Sequence, residues 1–177
     1  MKLQAKGERG KGKGERLKAK GLNFEPCPFD LVPLTFNLAP PITWTNAYID
    51  IPFLYDGRDK AGVDCWGLVW MVYMDQLGIL LPDYRGMFTD GSVATMLRRA
   101  KMMDKERALW ERRSPYESPQ PFDVVLLRTK GVPSHVGVVI DSRRMLHITE
   151  GINSCVEDYA GLLWKDRVIG FYWRAHE

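Results

Sequence analysis

The rhythm of apolar and polar positions changes about two-thirds of the way along this 177-residue chain. After Asp64, residues 65–78 carry Leu68, Val69, Val72 and Leu77 at spacings that approximate one helical face. Asp64 stands where a capping side chain accepts the first free N–H groups, and Gly78 stands where a helix ends left-handed. Ser92 opens a second helix, with Val93, Met96, Leu97 and Ala100 as its apolar positions and Arg98, Arg99 and Lys101 turned outward. The period then shortens. Residues 123–127, 135–140, 145–149 and 168–173 are rich in Val, Ile and aromatics and are separated by polar turns, which predicts strands. Helices first and an antiparallel sheet after them give an α+β domain.

The pattern also divides the chain. Residues 1–21 are almost devoid of apolar side chains and read as a basic disordered arm. Residues 22–42 hold the Pro-rich connector, and the compact domain is expected over 43–177. The net charge of +3 conceals this division: the arm has eight Lys/Arg against two Asp/Glu, so the remainder is acidic. Such an arm can touch nucleic acid or an acidic partner, but a solvated arm is the plainer reading. No specific nucleic-acid partner is expected, and no membrane partner, since no apolar run reaches about 18 residues. The polar N-terminus lacks the apolar stretch of a secretory signal, so export by that route is not expected.

Three cysteines, Cys27, Cys65 and Cys155, are too few and too far apart for a disulfide framework or a zinc motif, and no metal or other cofactor is expected. Cys65 differs from the others by its place. In the first turn of a helix, unpaired N–H groups and the positive end of the helix dipole favour a thiolate. A nucleophilic thiol needs a base, and the chain has three histidines: His135, His147 and His176. His135 and His147 fall on neighbouring predicted strands, symmetric about Asp141. A two- or four-residue hairpin loop would put them on opposite faces, so only an odd loop or a bulge brings the imidazoles together. The residues alone leave two readings open: a nucleophile, base and orienting histidine, or a core histidine and unrelated neighbours. Five of the six tryptophans, Trp44, Trp70, Trp110, Trp164 and Trp173, together with Cys155, read as packing, and Glu157/Asp158 as a solvated turn.

Four segments in order, Asp64-Cys65-Trp66-Gly67-Leu68-Val69, Pro121-Phe122-Asp123-Val124-Val125, Ser134-His135-Val136-Gly137-Val138-Val139-Ile140 and Met145-Leu146-His147, resemble the successive motifs of the NlpC family of cell-wall cysteine peptidases. The resemblance spans about residues 44–174. It implies a papain-like fold with N-terminal helices on a central antiparallel sheet, with Cys65 as nucleophile, His135 as base and His147 as the residue that orients it. It further implies substrate contacts at Asp64, Trp66, Phe53 and Tyr48, no metal, and hydrolysis of a peptidoglycan stem peptide, commonly between D-glutamate and a diamino acid. Family members generally carry Ser and Tyr where Trp66 and Phe53 stand, so two substrate-facing hydroxyls are missing here. The Asp-Cys-Trp-Gly-Leu-Val run, Leu81-Pro82-Asp83-Tyr84 and Trp110 resemble the phage-encoded branch found beside tail genes. That likeness implies a place in the phage tail, or in the bacterial cytoplasm before assembly. It also admits an alternative, a tail-tip assembly protein whose peptidase fold mainly binds neighbouring tail proteins.

Overall fold

The computed structural model describes residues 44–174. The basic arm, the connector, Cys27 and His176 lie outside the described residues. A 3-10 turn, Trp44–Tyr48, precedes a small hairpin of β1 (Arg58–Asp59) and β2 (Gly62–Val63). Helix α1 (Cys65–Val72) and helix α2 (Val93–Arg107) follow. Six strands complete the domain: β3 (Glu111–Arg112), β4 (Val124–Thr129), β5 (Val132–Val139), β6 (Arg144–Thr149), β7 (Ile152–Asp158) and β8 (Val168–Trp173). They form one antiparallel sheet in the order β3-β8-β4-β5-β6-β7. This is the α+β arrangement that the change of period predicts.

Because side chains alternate along a strand, the sheet carries two different cores. Val124, Leu126, Val136, Val138, Leu146 and Ile148 join Leu68, Val69 and Val72 of α1 in the main one. Val125, Leu127, Val139 and Met145 face the other way and pack with Tyr159 and Trp164. The exposed edge of β7 is partly covered by the lead-in segment. Asp50 N–H donates to Ser154 O at 2.8 Å, Ser154 N–H to Ile51 O at 2.9 Å, and Ser154 Oγ to Tyr48 O at 2.6 Å. Those bonds satisfy groups that an open strand edge would leave unpaired.

Asp64 decides where α1 starts. Its backbone is extended, its Oδ1 accepts the Gly67 N–H at 2.7 Å, and its carbonyl accepts from Leu68 at 2.9 Å. The helix widens into a π-helical turn, Tyr73–Leu77, and stops at Gly78 with φ 68°, a conformation that suits glycine. The one-faced helix suggested by the spacing is replaced by one buried nearly all round: every residue but Trp70 is buried. It packs against both the sheet (β5, β6) and the β1–β2 hairpin, and a helix enclosed on several sides has little use for a polar face.

Helix α2 departs further from expectation. Val93 and Leu97 are exposed, and the buried face is Thr95, Met102, Met103 and Glu106. Arg99, expected outward, lies on this same stripe at four residues from Thr95 and three from Met102. Polar residues can occupy such a face when each finds a partner. Glu106 accepts from the Tyr84 hydroxyl and from Trp110 Nε1, the latter at 3.3 Å. Of the positions that hydrophobic periodicity selected, Met96 and Ala100 are half-buried while Val93 and Leu97 are exposed, so the buried face is rotated from the expected one.

Asp64 also forms a buried ion pair with Arg58, Nη1 to Oδ1 at 3.2 Å, and Arg58 reaches on to the Asp83 carbonyl. Removing the cap alone costs about 1 kcal/mol. Stranding the buried guanidinium costs more, about 3–5 kcal/mol, so the ion pair is the larger effect. Asp64→Ala is accordingly expected to lower unfolding stability by about 3 kcal/mol or more in urea titrations. A loss confined to about 1 kcal/mol would mean that Arg58 finds another partner.

Candidate active site

A cleft of about 260 Å³ opens where the N-terminus of α1 meets β5 and α2. Cys65 enters it from α1, His135 and Ser134 from β5, and Arg99 and Met96 from α2. Phe53 and Tyr55 line a further wall. Charges of both signs also border it: Asp90 and Glu150 among the acids, Lys130 with Arg99 among the bases.

The two histidines meet because of a single loop. β5 and β6 pair with Val138 opposite Leu146 and Val139 opposite Met145. Ile140 N–H donates to Arg144 O at 2.8 Å, leaving a three-residue loop, Asp141-Ser142-Arg143. Asp141 holds that loop: its Oδ1 accepts from the N–H groups of Arg143 and Arg144 at 2.9 and 2.8 Å, and its Oδ2 from Arg144 Nε at 2.7 Å. An odd loop places His135 and His147 on one face, displaced by one step. Gly137 makes room between them, because a Cβ there would lie 3.1 Å from the His147 Cβ. His135 Nε2 and His147 Nδ1 are 3.2 Å apart, with the rings edge-on at 76°.

The line continues past His147. On the neighbouring strand β7, Cys155 pairs directly with His147, and Glu157 is two residues further along the same face. Glu157 Oε2 is 3.2 Å from His147 Nε2, and Cys155 Sγ is 3.7 Å from the same nitrogen. Trp164 walls this group in. Its ring stacks on His135 at 5.5 Å and meets His147 edge-on at 5.1 Å, while its Nε1 donates to Glu157 Oε2.

Burial governs the charge states. It is the largest influence on His135, with His147 and Arg99 acting in the same direction, and together they push its pKa down to about 3. His147 is also held below the usual histidine range by burial, against the pull of Glu157. Burial pushes the Cys65 thiol up, opposed by the Arg99 guanidinium and by the N–H groups of Val136 and Trp66. The helix N-terminus alone predicts a thiolate, but here desolvation prevails. Desolvation thus works against charge on both the thiol and the imidazole.

The NlpC/P60 family pattern matches residues 50–173, most of the chain. The chain belongs to the NlpC/P60 family. Similar solved structures include a Staphylococcus aureus protein described as similar to lipoprotein, NLP/P60 family, at 22% identity and TM-score 0.54, covering 77% of this chain and 40% of that one. NlpC1 from Trichomonas vaginalis is 17% identical with TM-score 0.54, covering 75% and 42%. An NlpC/P60 family protein from Bacillus cereus is 16% identical with TM-score 0.53, covering 73% and 37%. At such identities the likeness is one of fold, and this chain spans less than half the length of each. No curated protein matches the chain.

Within this NlpC/P60 domain, the four residues expected to touch substrate separate. Phe53 lines the cleft. Asp64 is fully buried as cap and ion-pair partner. Trp66 is buried against Tyr84 and Trp110, with Nε1 donating to Pro82 O at 2.8 Å. Tyr48 is buried, its hydroxyl donating to Asp75 at 3.1 Å. Two side chains read differently from the sequence: Glu157 is no turn residue but part of strand β7 facing His147, and Arg99 faces the thiol; Trp164 packs as expected, and does so against both histidines. The alternation of Cys155 and Glu157 on one strand carries the Glu157 signal, but it becomes legible only once the β6–β7 register is known.

Arg99 Nη1 lies 3.9 Å from Cys65 Sγ, and its Nε has no hydrogen-bond partner among the described residues. Its charge is the largest influence opposing the rise of the thiol pKa. In Arg99→Gln, the pH profile of Cys65 alkylation, followed by peptide mass spectrometry, should move to higher pH than in the parent. An unmoved profile would remove Arg99 from the electrostatics of the Cys65 thiol.

Proposed function

We propose that this domain is a cysteine peptidase that hydrolyses peptidoglycan stem peptides, with Cys65 as nucleophile, His135 as base and His147 as its orienting partner. The observation that carries this reading is the hydrogen-bonded line from Glu157 through His147 to His135, ending in the cleft that Cys65 lines. Glu157 accepts the His147 Nε2–H, so His147 Nδ1 is a bare acceptor for the His135 Nε2–H. His135 then presents the lone pair of Nδ1, the form a general base needs. As Cys65 Sγ bonds to the amide carbon, His135 takes the thiol proton and later delivers it to the departing amine. Water, activated by the same imidazole, cleaves the thioester and restores the thiol. The N–H groups of Val136 and Trp66 that face Sγ can share charge developing near the sulfur.

A cleft bordered by Arg99 and Lys130 together with Asp90 and Glu150 suits a ligand carrying carboxylates and an amine, as a stem peptide does. The bond we favour is that between D-glutamate and the diamino acid, and the setting a phage tail, on the strength of the motif segments around Cys65, Pro82 and Trp110. In the alternative reading the same fold serves tail-tip assembly by binding neighbouring tail proteins.

Purified peptidoglycan incubated with the protein is expected to release stem-peptide fragments, identified by mass spectrometry, that vanish with Cys65→Ala. Intact walls from every candidate host would shift the reading to assembly. The charge state of His135 supplies a second expectation. Protonated imidazole cannot act as base, and the folded protein holds His135 neutral until pH approaches about 3. Between pH 7 and pH 5, kcat/KM should change less than about two-fold, whereas an unperturbed histidine would lose roughly twenty-five-fold. An acid limb centred near pH 6.5 would contradict this electrostatic picture.

A further inference from the structure

Beside the proposed catalytic pair, on the solvent side of His147, three side chains of different chemistry converge. His147 Nε2, Cys155 Sγ and a Glu157 carboxylate oxygen all lie within 4.8 Å of one another. Two of the separations, 3.2 Å from Nε2 to Oε2 and 3.7 Å from Sγ to Nε2, are close to what a tetrahedral ion imposes. Zinc bonds of about 2.0–2.3 Å set ligand atoms roughly 3.3–3.7 Å apart. Cross-strand pairing of His147 with Cys155, and the two-residue step from Cys155 to Glu157, fix the three on rigid sheet backbone. Trp164 Nε1, donating to Glu157, supplies the kind of outer hydrogen bond that orients a ligating carboxylate. Cys155 and Glu157 are only partly buried, so an ion has a route in and a fourth position open to water.

We infer that His147, Cys155 and Glu157 form a three-ligand site for a borderline-soft divalent cation of the zinc class, and that its occupation switches the peptidase off. A thiolate with an imidazole selects such an ion over calcium or magnesium. On binding, Cys155 gives up its proton to solvent and the ion takes the lone pair of His147 Nε2. The consequence passes along the imidazoles. A neutral His147 ligating through Nε2 must carry its proton on Nδ1, and that N–H donates to His135 Nε2. His135 then keeps its own proton on Nδ1, toward the cleft, and has no lone pair for the Cys65 thiol. The metal-free arrangement, with Glu157 accepting from Nε2, gives the opposite and productive tautomers. The site itself is independent of the catalytic reading; the inhibitory effect rests on it.

The two parts are tested separately. In a Cys27→Ser/Cys65→Ala protein Cys155 is the sole thiol, so cobalt(II) titration reads this site without the nucleophile. One equivalent of cobalt should generate a thiolate-to-metal charge-transfer band in the near ultraviolet, which zinc displaces. Adding Cys155→Ala should abolish the band, and Glu157→Gln should weaken binding at least ten-fold. No band, or one indifferent to Glu157→Gln, overturns the site. With the intact nucleophile, zinc should inhibit peptidoglycan cleavage, scored against each protein's own metal-free rate. Cys155→Ala should then require at least ten-fold more zinc for half-inhibition. Equal zinc sensitivity would place the inhibitory ion on Cys65 instead and overturn the switch. A cobalt site in a protein that cleaves no wall at all would retain the metal site and remove only the catalytic reading.

Discussion

The register between β5 and β6 is the constraint on which the site depends, and the Asp141 carboxylate, bonded to two backbone N–H groups and a guanidinium, holds it there. Sheet side chains alternate with a period of two, so a loop longer or shorter by one residue would turn His147 to the opposite face and into the main core. Three residues between Ile140 and Arg144 leave both imidazoles on the Trp164 side. The one-step offset is then closed by Gly137, whose missing side chain lets the His147 ring approach His135. A loop carboxylate and a glycine thus do for this site what no property of the histidines themselves could.

From that register follows a chain of directed hydrogen bonds in a desolvated setting. Trp164 covers both rings and holds Glu157, so the carboxylate, the two imidazoles and the cleft are joined by contacts on one face of three adjacent strands. Burial holds the histidine pKa values down and the thiol pKa up, so in the proposed reading proton transfer would accompany the attack. In such a setting, tautomer identity takes over the role that charge plays at an exposed site. In the proposed reading, the partner of His147 Nε2 sets through two rings the tautomer that His135 presents to the cleft.

The opposing requirement is met by Arg99. A buried thiol at the foot of a cleft is a poor nucleophile, and a guanidinium from α2 offers compensation without contributing to the sheet. Its position shows why α2 presents a partly polar face inward: Thr95, Arg99 and Glu106 are placed where they find bonding or charge partners, while Val93 and Leu97 are left in water. The second face of the sheet serves a different purpose, supplying the Trp164 ring behind the histidines.

The sequence by itself determined the elements and the order of the candidate site residues. Short-range rules suffice there: Asp64 and Gly78 bound a helix, Ser92 starts another, and a two-residue period marks the strands. It also showed that His135 and His147 could meet only across an odd loop, because parity along a strand is a local property. Only the tertiary structure decided which parity was realised, that Asp64, Trp66 and Tyr48 are consumed by packing and internal bonds, and that Glu157, Trp164 and Arg99 surround the site. Those residues come from elements distant in the chain, and their roles arise from register, burial and the direction of a helix face. The thiol shows the difference most plainly: its helix position favours a thiolate, while desolvation, which depends on everything packed around it, raises its pKa.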